Sequence, residues 1–164
     1  MKNKILYITS SSVSELTANS IHVMNMIGAF QKRDFFFNAY VLSKYFSNRN
    51  QNLKLKKMFG IEIKKKILKT YFYPFEKGKS LYLILRIYFD VIFKLLLGYV
   101  VYTRNVHAAT ILSIFFSKKI YFEAHDSGFG KSVHMFKFLS FIGTNFITIS
   151  DALKNEIIDK YFVK

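Results

Sequence analysis

The sharpest chemical pattern in the sequence is Glu123-Ala124-His125-Asp126, where a carboxylate and an imidazole stand two residues apart. At the end of a strand such residues point to the same side. Glu123 can then fix the tautomer of His125 and raise its basicity, and an imidazole so held can bond a hydroxyl or a phosphate. The competing reading is a histidine that caps its strand through the backbone. Arg104 follows the run Tyr99–Thr103, and its planar fork suits phosphate or carboxylate; a surface salt bridge fits the same residue. Ser10-Ser11-Ser12 places hydroxyls after the first apolar run, and Ser150-Asp151 follows the last one. Asn19-Ser20-Ile21-His22 opens a helical pattern whose N-terminal amides can face an anion. No glycine precedes that helix, so a phosphate cradle of the GxGxxG kind is absent. His22 also fits an ordinary packed or exposed helix position. His107 and His134 carry no supporting pattern, no His/Asp/Glu set has metal-ligand spacing, and there is no cysteine.

These residues matter only if the fold gathers them. Short apolar runs predict strands at Lys4–Thr9, Phe36–Leu42, Ile61–Leu68, Tyr99–Thr103, Lys119–Ala124 and Asn145–Ile149. Helical patterns fall between them at Ser20–Lys32, capped by Asn19, and at Ser80–Leu97, Asn105–Phe116 and Lys131–Phe141. A last helix, Ser150–Tyr161, is capped by Ser150, and Ser43–Gly60 is polar and basic with room for a short helix. Apolar strands alternating with helices predict an α/β fold: a doubly wound, Rossmann-like parallel sheet with helices on both faces, in order 3-2-1-4-5-6. In such sheets ligands bind beyond the carboxyl ends of the strands. The serines, Arg104, His125 and Ser150 all follow strands, so they converge on one edge.

Hydrophobic residues make up 51% of the 164 residues and aromatics 18%, enough for a core and too apolar for a disordered chain. The formal net charge of +15 should attract phosphate, as nucleic acid, anionic lipid or a charged substrate. Lysine supplies most of it, whereas base readout leans on arginine, so nucleic acid is not the expected partner. Lys54, Lys56, Lys57, Lys64, Lys65, Lys66 and Lys69 precede Tyr71, Phe72, Tyr73 and Phe75, a combination that suits an anionic membrane surface. A solvated charged face is the plainer reading. The run Ile5–Ile8 is too short for a signal peptide. Leu81–Val101 has the length of a membrane span but contains Arg86, Asp90 and Lys94, each costing about 2.5–3.5 kcal/mol at a bilayer centre. Their spacing predicts a buried helix with one solvated charged stripe.

Four blocks, in order, resemble the N-terminal domain of family 4 glycosyltransferases of the GT-B fold. Asn19 to Met26, running on through Phe30, resembles that family's first helix. Val101-Tyr102-Thr103-Arg104-Asn105 is similar to its fourth strand, Tyr121 to Asp126 to its fifth with the "ExH" histidine, and Phe146 to Lys154 to its "ISxAL" strand and helix. The resemblance implies a transferase that moves a sugar from a nucleotide-sugar donor to a glycan or lipid-linked acceptor in cell-surface polysaccharide synthesis. It implies retention of configuration, no metal and no cofactor beyond the donor substrate. His125 would contact the sugar and assist departure of the nucleoside diphosphate, and Glu123 would orient it. Ser10, Ser11, Asn19, His22, Arg104, Asp126 and Ser150 would line the donor and acceptor cleft. Two departures stand out: the family's glycine pair in the first loop is missing, and so is the Glu-x7-Glu pair of its second domain. Residues 1–164 are therefore expected to form the acceptor-side domain alone, inactive without a donor-binding C-terminal half, which a separate chain can supply. The expected location is cytoplasmic, at most peripheral on the inner face of the plasma membrane. A basic, non-enzymatic module for membrane or nucleic acid is the alternative.

Overall fold

The computed structural model describes residues 4–33, 35–43, 51–63, 67–73, 77–128 and 132–161. Six strands form one parallel sheet: β1 (Lys4–Ser12), β2 (Phe36–Ser43), β3 (Leu68–Phe72), β4 (Val100–Thr103), β5 (Ile120–Ala124) and β6 (Asn145–Thr148). The spatial order is β3-β2-β1-β4-β5-β6, the doubly wound arrangement the alternation predicts, with the switch point between β1 and β4. The helices are α1 (Ala18–Lys32), α2 (Gln51–Phe59), α3 (Lys79–Leu96), α4 (Val106–Phe116), α5 (Ser132–Phe141) and α6 (Asp151–Tyr161).

Alternation along each strand divides the core in two. Tyr7, Ala39 and Val41 face α1 and α2, packing with Val23, Met24, Ile27 and Leu55. Their neighbours Leu6, Ile8, Tyr40, Leu42 and Val101 face the other way, toward α3 and α4, while Ile120, Phe122 and Ala124 extend that layer to α5 and α6. Strands β1, β2 and β4 are therefore apolar on both sides and read as continuous apolar runs, whereas β5 is apolar on the side of Ile120, Phe122 and Ala124 and carries Glu123 on the other.

Local signals place the helix ends. Thr17 caps α1: its hydroxyl accepts from the Ser20 amide at 3.2 Å, and Ser20 Oγ accepts from the Thr17 amide at 2.8 Å. The expected cap, Asn19, instead lies inside the first turn. Asn105 caps α4, its Oδ1 accepting from His107 and Ala108 amides at 3.0 and 3.2 Å. Gly98, at φ 87°, adopts the left-handed conformation that ends α3 and returns the chain to β4.

Three further expectations need correction. The third strand lies at Leu68–Phe72 rather than Ile61–Leu68. Thr70, Tyr71 and Phe72 suit a pleated surface and pair with Val41, Leu42 and Ser43, while Ile61 and Ile63 pack into the α1/α2 cluster. The first strand runs to Ser12, three residues past its expected end, because an irregularity between Ile8 and Ser12 carries its polar end alongside β2. The charged stripe of α3 is not simply solvated. Asp90 accepts from Tyr40 Oη at 2.6 Å and Lys69 Nζ at 2.9 Å, and Lys94 donates to Tyr40, so the stripe leans on the sheet. No described helix is long and apolar enough to cross a membrane.

Candidate functional site

Thr103, at the end of β4, is buried, and its hydroxyl donates to Ile8 O at 2.7 Å across the switch point. It also accepts from the Asn105 amide at 3.0 Å, which fixes the turn that carries Arg104. One strand over, Glu123 lies on β5, two residues before His125. Glu123 is only 3% exposed, a carboxylate almost wholly withdrawn from water. Such a group is tolerated only when partners replace its hydration.

Two side chains bond Glu123 and two more lie close by. Tyr102, from β4, donates its hydroxyl to Glu123 Oε2 at 2.5 Å. His125 Nε2 lies 2.7 Å from Oε1, as the two-residue spacing on a strand end requires. Arg104 Nε approaches the same oxygen at 3.7 Å, and His22 Nε2, from the second turn of α1, at 3.4 Å. The His22 and His125 rings meet edge to face with centroids 6.0 Å apart. The cluster thus draws on α1, β4 and β5, all at the carboxyl end of the sheet.

Three of these groups crowd Oε1, where His125 is close and His22 and Arg104 stand off at 3.4 and 3.7 Å. His22 Nε2, Arg104 Nη1 and the Tyr7 hydroxyl are buried and have no hydrogen-bond partner among the described residues. Buried polar groups without partners are uncommon, and each invites an explanation. Burial pushes the Tyr102 phenol well above its usual range, and the hydrogen bond to Glu123 pushes it further, so Tyr102 stays a donor. Burial likewise raises the Tyr7 phenol, with Arg104 opposing. The His125 imidazole is held below its usual value, first by burial and then by the Arg104 guanidinium, against the pull of Glu123. A neutral His125 whose Nε2–H faces Glu123 keeps Nδ1 as its acceptor.

A second polar patch lies over the end of β1. Ser10, Ser11, Ser12, Thr17, Asn19 and Lys79 are among the residues lining a cavity of about 370 Å³, whose wall also includes Tyr73. Ser80, at the start of α3, donates from Oγ to Ser10 Oγ at 3.0 Å. The first turns of α1 join the two patches: Asn19 lines the cavity, and His22, three residues on along the same side, faces Glu123.

The residues singled out from sequence therefore separate. Glu123, His125, Arg104 and His22 come together; Ser10, Ser11 and Asn19 line the neighbouring cavity. Asp126 turns away into its own loop, where Oδ1 accepts from the Gly128 amide at 2.7 Å. Ser150 caps α6 by accepting from the Leu153 amide at 3.2 Å. Tyr7 and Tyr102 were not predicted. Both sit inside apolar runs, and only the cross-strand register, Tyr7 opposite Tyr102 and Tyr102 opposite Tyr121, brings them to the carboxylate. Among the described residues no group of three or more His, Asp or Glu side chains is arranged to hold a metal ion.

Of the basic cluster, Lys54, Lys56 and Lys57 stand exposed on α2, with Lys56 paired to Glu62 at 2.8 Å. Lys69 belongs to the Asp90 network, and Lys64, Lys65 and Lys66 lie outside the described residues. The accompanying aromatics do not form an exposed group: Tyr73 is buried, Tyr71 and Phe72 are half-buried, and Phe75 lies outside the described residues.

No family model, curated protein or solved structure matches the chain.

Proposed function

We propose that this domain is the acceptor-side half of a family 4 glycosyltransferase, moving a sugar from a nucleotide-sugar donor to a glycan or lipid-linked acceptor. The observation that carries the reading is the 2.7 Å contact between His125 and buried Glu123 at the carboxyl edge of the sheet. Glu123 holds the imidazole through Nε2, and Nδ1 accepts from a hydroxyl of the transferred sugar. As the bond from the anomeric carbon to the diphosphate breaks, positive charge develops on the sugar ring. The hydrogen bond to Nδ1, strengthened by Glu123, turns that hydroxyl's dipole so that its oxygen is the negative end toward the developing charge, and so assists departure of the nucleoside diphosphate. Arg104 supplies cationic charge in the same cleft, and the hydroxyl-lined cavity over β1 offers partners to a polyhydroxylated ligand.

The reading requires a second domain, because the donor-binding carboxylates of this family lie across the cleft and catalysis needs that cleft closed. The test has two arms. The 164-residue chain alone, incubated with a panel of sugar nucleotides and lipid-linked acceptors, is expected to show no transfer. Completed with a donor-binding domain of the family, it is expected to turn over, and His125→Asn to lower kcat about 10²–10³-fold with a smaller change in KM. Turnover by the chain alone refutes the two-domain requirement. An unchanged kcat in the completed His125→Asn enzyme removes His125 from the chemistry.

A further inference from the structure

We propose that the outer face of α3, continued by the end of α4, docks the protein on an anionic lipid surface. The inference is independent of the glycosyl-transfer reading, since it rests on a different face of the molecule.

Helix α3 is apolar on the side that packs and also on the side that does not. Leu83, Ile84, Ile87, Val91 and Leu95 are buried against the sheet and α4. Leu81, Leu85, Phe89, Phe93 and Leu96 point outward, and Leu85 is 67% exposed, Phe89 84% and Leu96 68%. Their spacing of three or four residues draws one continuous row along the helix, about 22 Å long at 1.5 Å per residue. Ile114 and Phe115 are likewise exposed on α4, which packs beside α3. An outward apolar row of this length, bordered by a charged stripe, is more than scattered surface hydrophobics account for.

Charge selects the occupant. Arg86 stands exposed on α3 and Lys77 stands exposed just before its first turn, and the helix carries a single acid, Asp90. Asp90 is engaged with Tyr40 and Lys69. Two further contacts fix cations at the C-terminal end of α3: Lys119 Nζ donates to Leu95 O at 2.7 Å and Lys4 Nζ to Leu97 O at 2.9 Å. An apolar row beside cations is the pattern of a helix lying in the interface plane of an anionic bilayer. A second copy of this chain would set cation against cation around the same row, and the net charge of +15 makes that pairing worse. The helix lies on the surface rather than crossing it, since none of the described helices is long and apolar enough to span.

This places the contact away from the lysines of α2. Those accompany the Tyr7 side of the sheet and α3 the Leu6 side, so one flat membrane cannot engage both. The chain has no tryptophan, so Phe89→Trp gives a single depth probe at an exposed position. With vesicles of mixed phosphatidylglycerol and phosphatidylcholine, its emission is expected to shift blue at low salt and less so at high salt. Co-sedimentation of the wild-type chain should show the same dependence, with weak binding to pure phosphatidylcholine. Leu85→Gln/Phe89→Gln/Phe93→Gln, whose folding is checked by its thermal transition, is expected to lose binding about tenfold or more. Lys54→Gln/Lys56→Gln/Lys57→Gln is expected to keep it. Equal sedimentation of the wild type and the folded triple α3 variant overturns the proposal, as does failure of the wild type to bind anionic vesicles. A wild-type dimer that the α3 variant makes monomeric, without vesicle binding by either, assigns the face to a second copy instead.

Discussion

Glu123 and Asp90 each accept a hydrogen bond from a sheet tyrosine, Tyr102 in one case and Tyr40 in the other, and each lies against cations. Around Asp90 the cations are Lys69 and Lys94, at 2.9 and 3.6 Å. Lysine is a point charge on a flexible stem, so both can swing to meet the carboxylate. The Asp90 side chain is also 36% exposed, and water can complete its shell. Around Glu123 the partners are a planar guanidinium and two imidazoles, and the side chain is only 4% exposed. Planar groups cannot all align on one oxygen. His125 does; His22 and Arg104 are left with buried, unpartnered nitrogens. The first network clamps α3 to the sheet. The second, at the carboxyl edge beside the switch point, leaves buried donors of Arg104 and His22 without partners.

The comparison breaks first on charge removal. Taking away one partner of a buried ion pair costs about 3–5 kcal/mol, because the other charge is left without compensation. Glu123→Ala, which strands Arg104 beneath the surface, should fall in that range. Asp90→Ala should cost less, about 1 kcal/mol, since Asp90 is 36% exposed, Lys69 can turn to water, and Lys94 keeps the Tyr40 hydroxyl as its acceptor. Urea unfolding of both variants at neutral pH checks the contrast, and equal losses would mean that the two networks are the same kind of clamp.

Removing only the tyrosine hydroxyls is gentler and sharpens the same point. Tyr102→Phe leaves Glu123 Oε2 without its donor in a dry site and should cost about 1.5–3 kcal/mol, in the range of hydrogen bonds to charged groups. Tyr40→Phe should cost about 1 kcal/mol, as water can replace the lost donor. A larger loss for Tyr40→Phe would place the drier, more demanding network at α3.

The fold was legible in the sequence because its strands are buried on both faces and its helix ends carry local signals. That is enough for the strand order and for the positions of Arg104 and His125. The pairing of Glu123 with His125 was legible too, since it needs only a period of two. Tyr102 and Tyr7 were not, because their role depends on which strands lie side by side and in what register, and that is set by tertiary packing. The third strand was misplaced because Ile61 and Ile63 are as apolar as a strand residue but serve a helix–helix–sheet cluster. The outward apolar face of α3 was hidden for a related reason. Periodicity shows that Arg86, Asp90 and Lys94 share a side, but not that Tyr40 and Lys69 would draw that side toward the sheet and leave phenylalanines facing out.

The smallest effect to seek is in pH dependence, where the two networks act in separate windows. For His125 two influences compete. Glu123 favours the protonated ring, while burial and Arg104 disfavour it, with His22 adding a smaller push the same way; the balance lowers the folded pKa below 6.5. The unfolded chain then takes up the proton first as pH falls. The stability linked to His125 is therefore complete above about pH 6.5 and is lost as pH drops through the folded value. Had Glu123 won, the sign would reverse and acidification toward pH 6 would stabilise. Asp90 is also lowered: burial works against it, but the hydrogen bonds from Tyr40 and Lys69 and the charge of Lys94 prevail. Its contribution is present above its ordinary value of 3.8 and is lost as pH falls below that through the folded value. Stability measured by urea midpoint should decline gently below neutrality, and His125→Gln should flatten that first decline while leaving the more acidic one in place. Asp90→Asn should do the reverse. A wild-type midpoint that rises between pH 7 and pH 6 would show the carboxylate dominating the imidazole, and His125 would then enter its site as a cation rather than as the neutral acceptor that the contact geometry and burial imply.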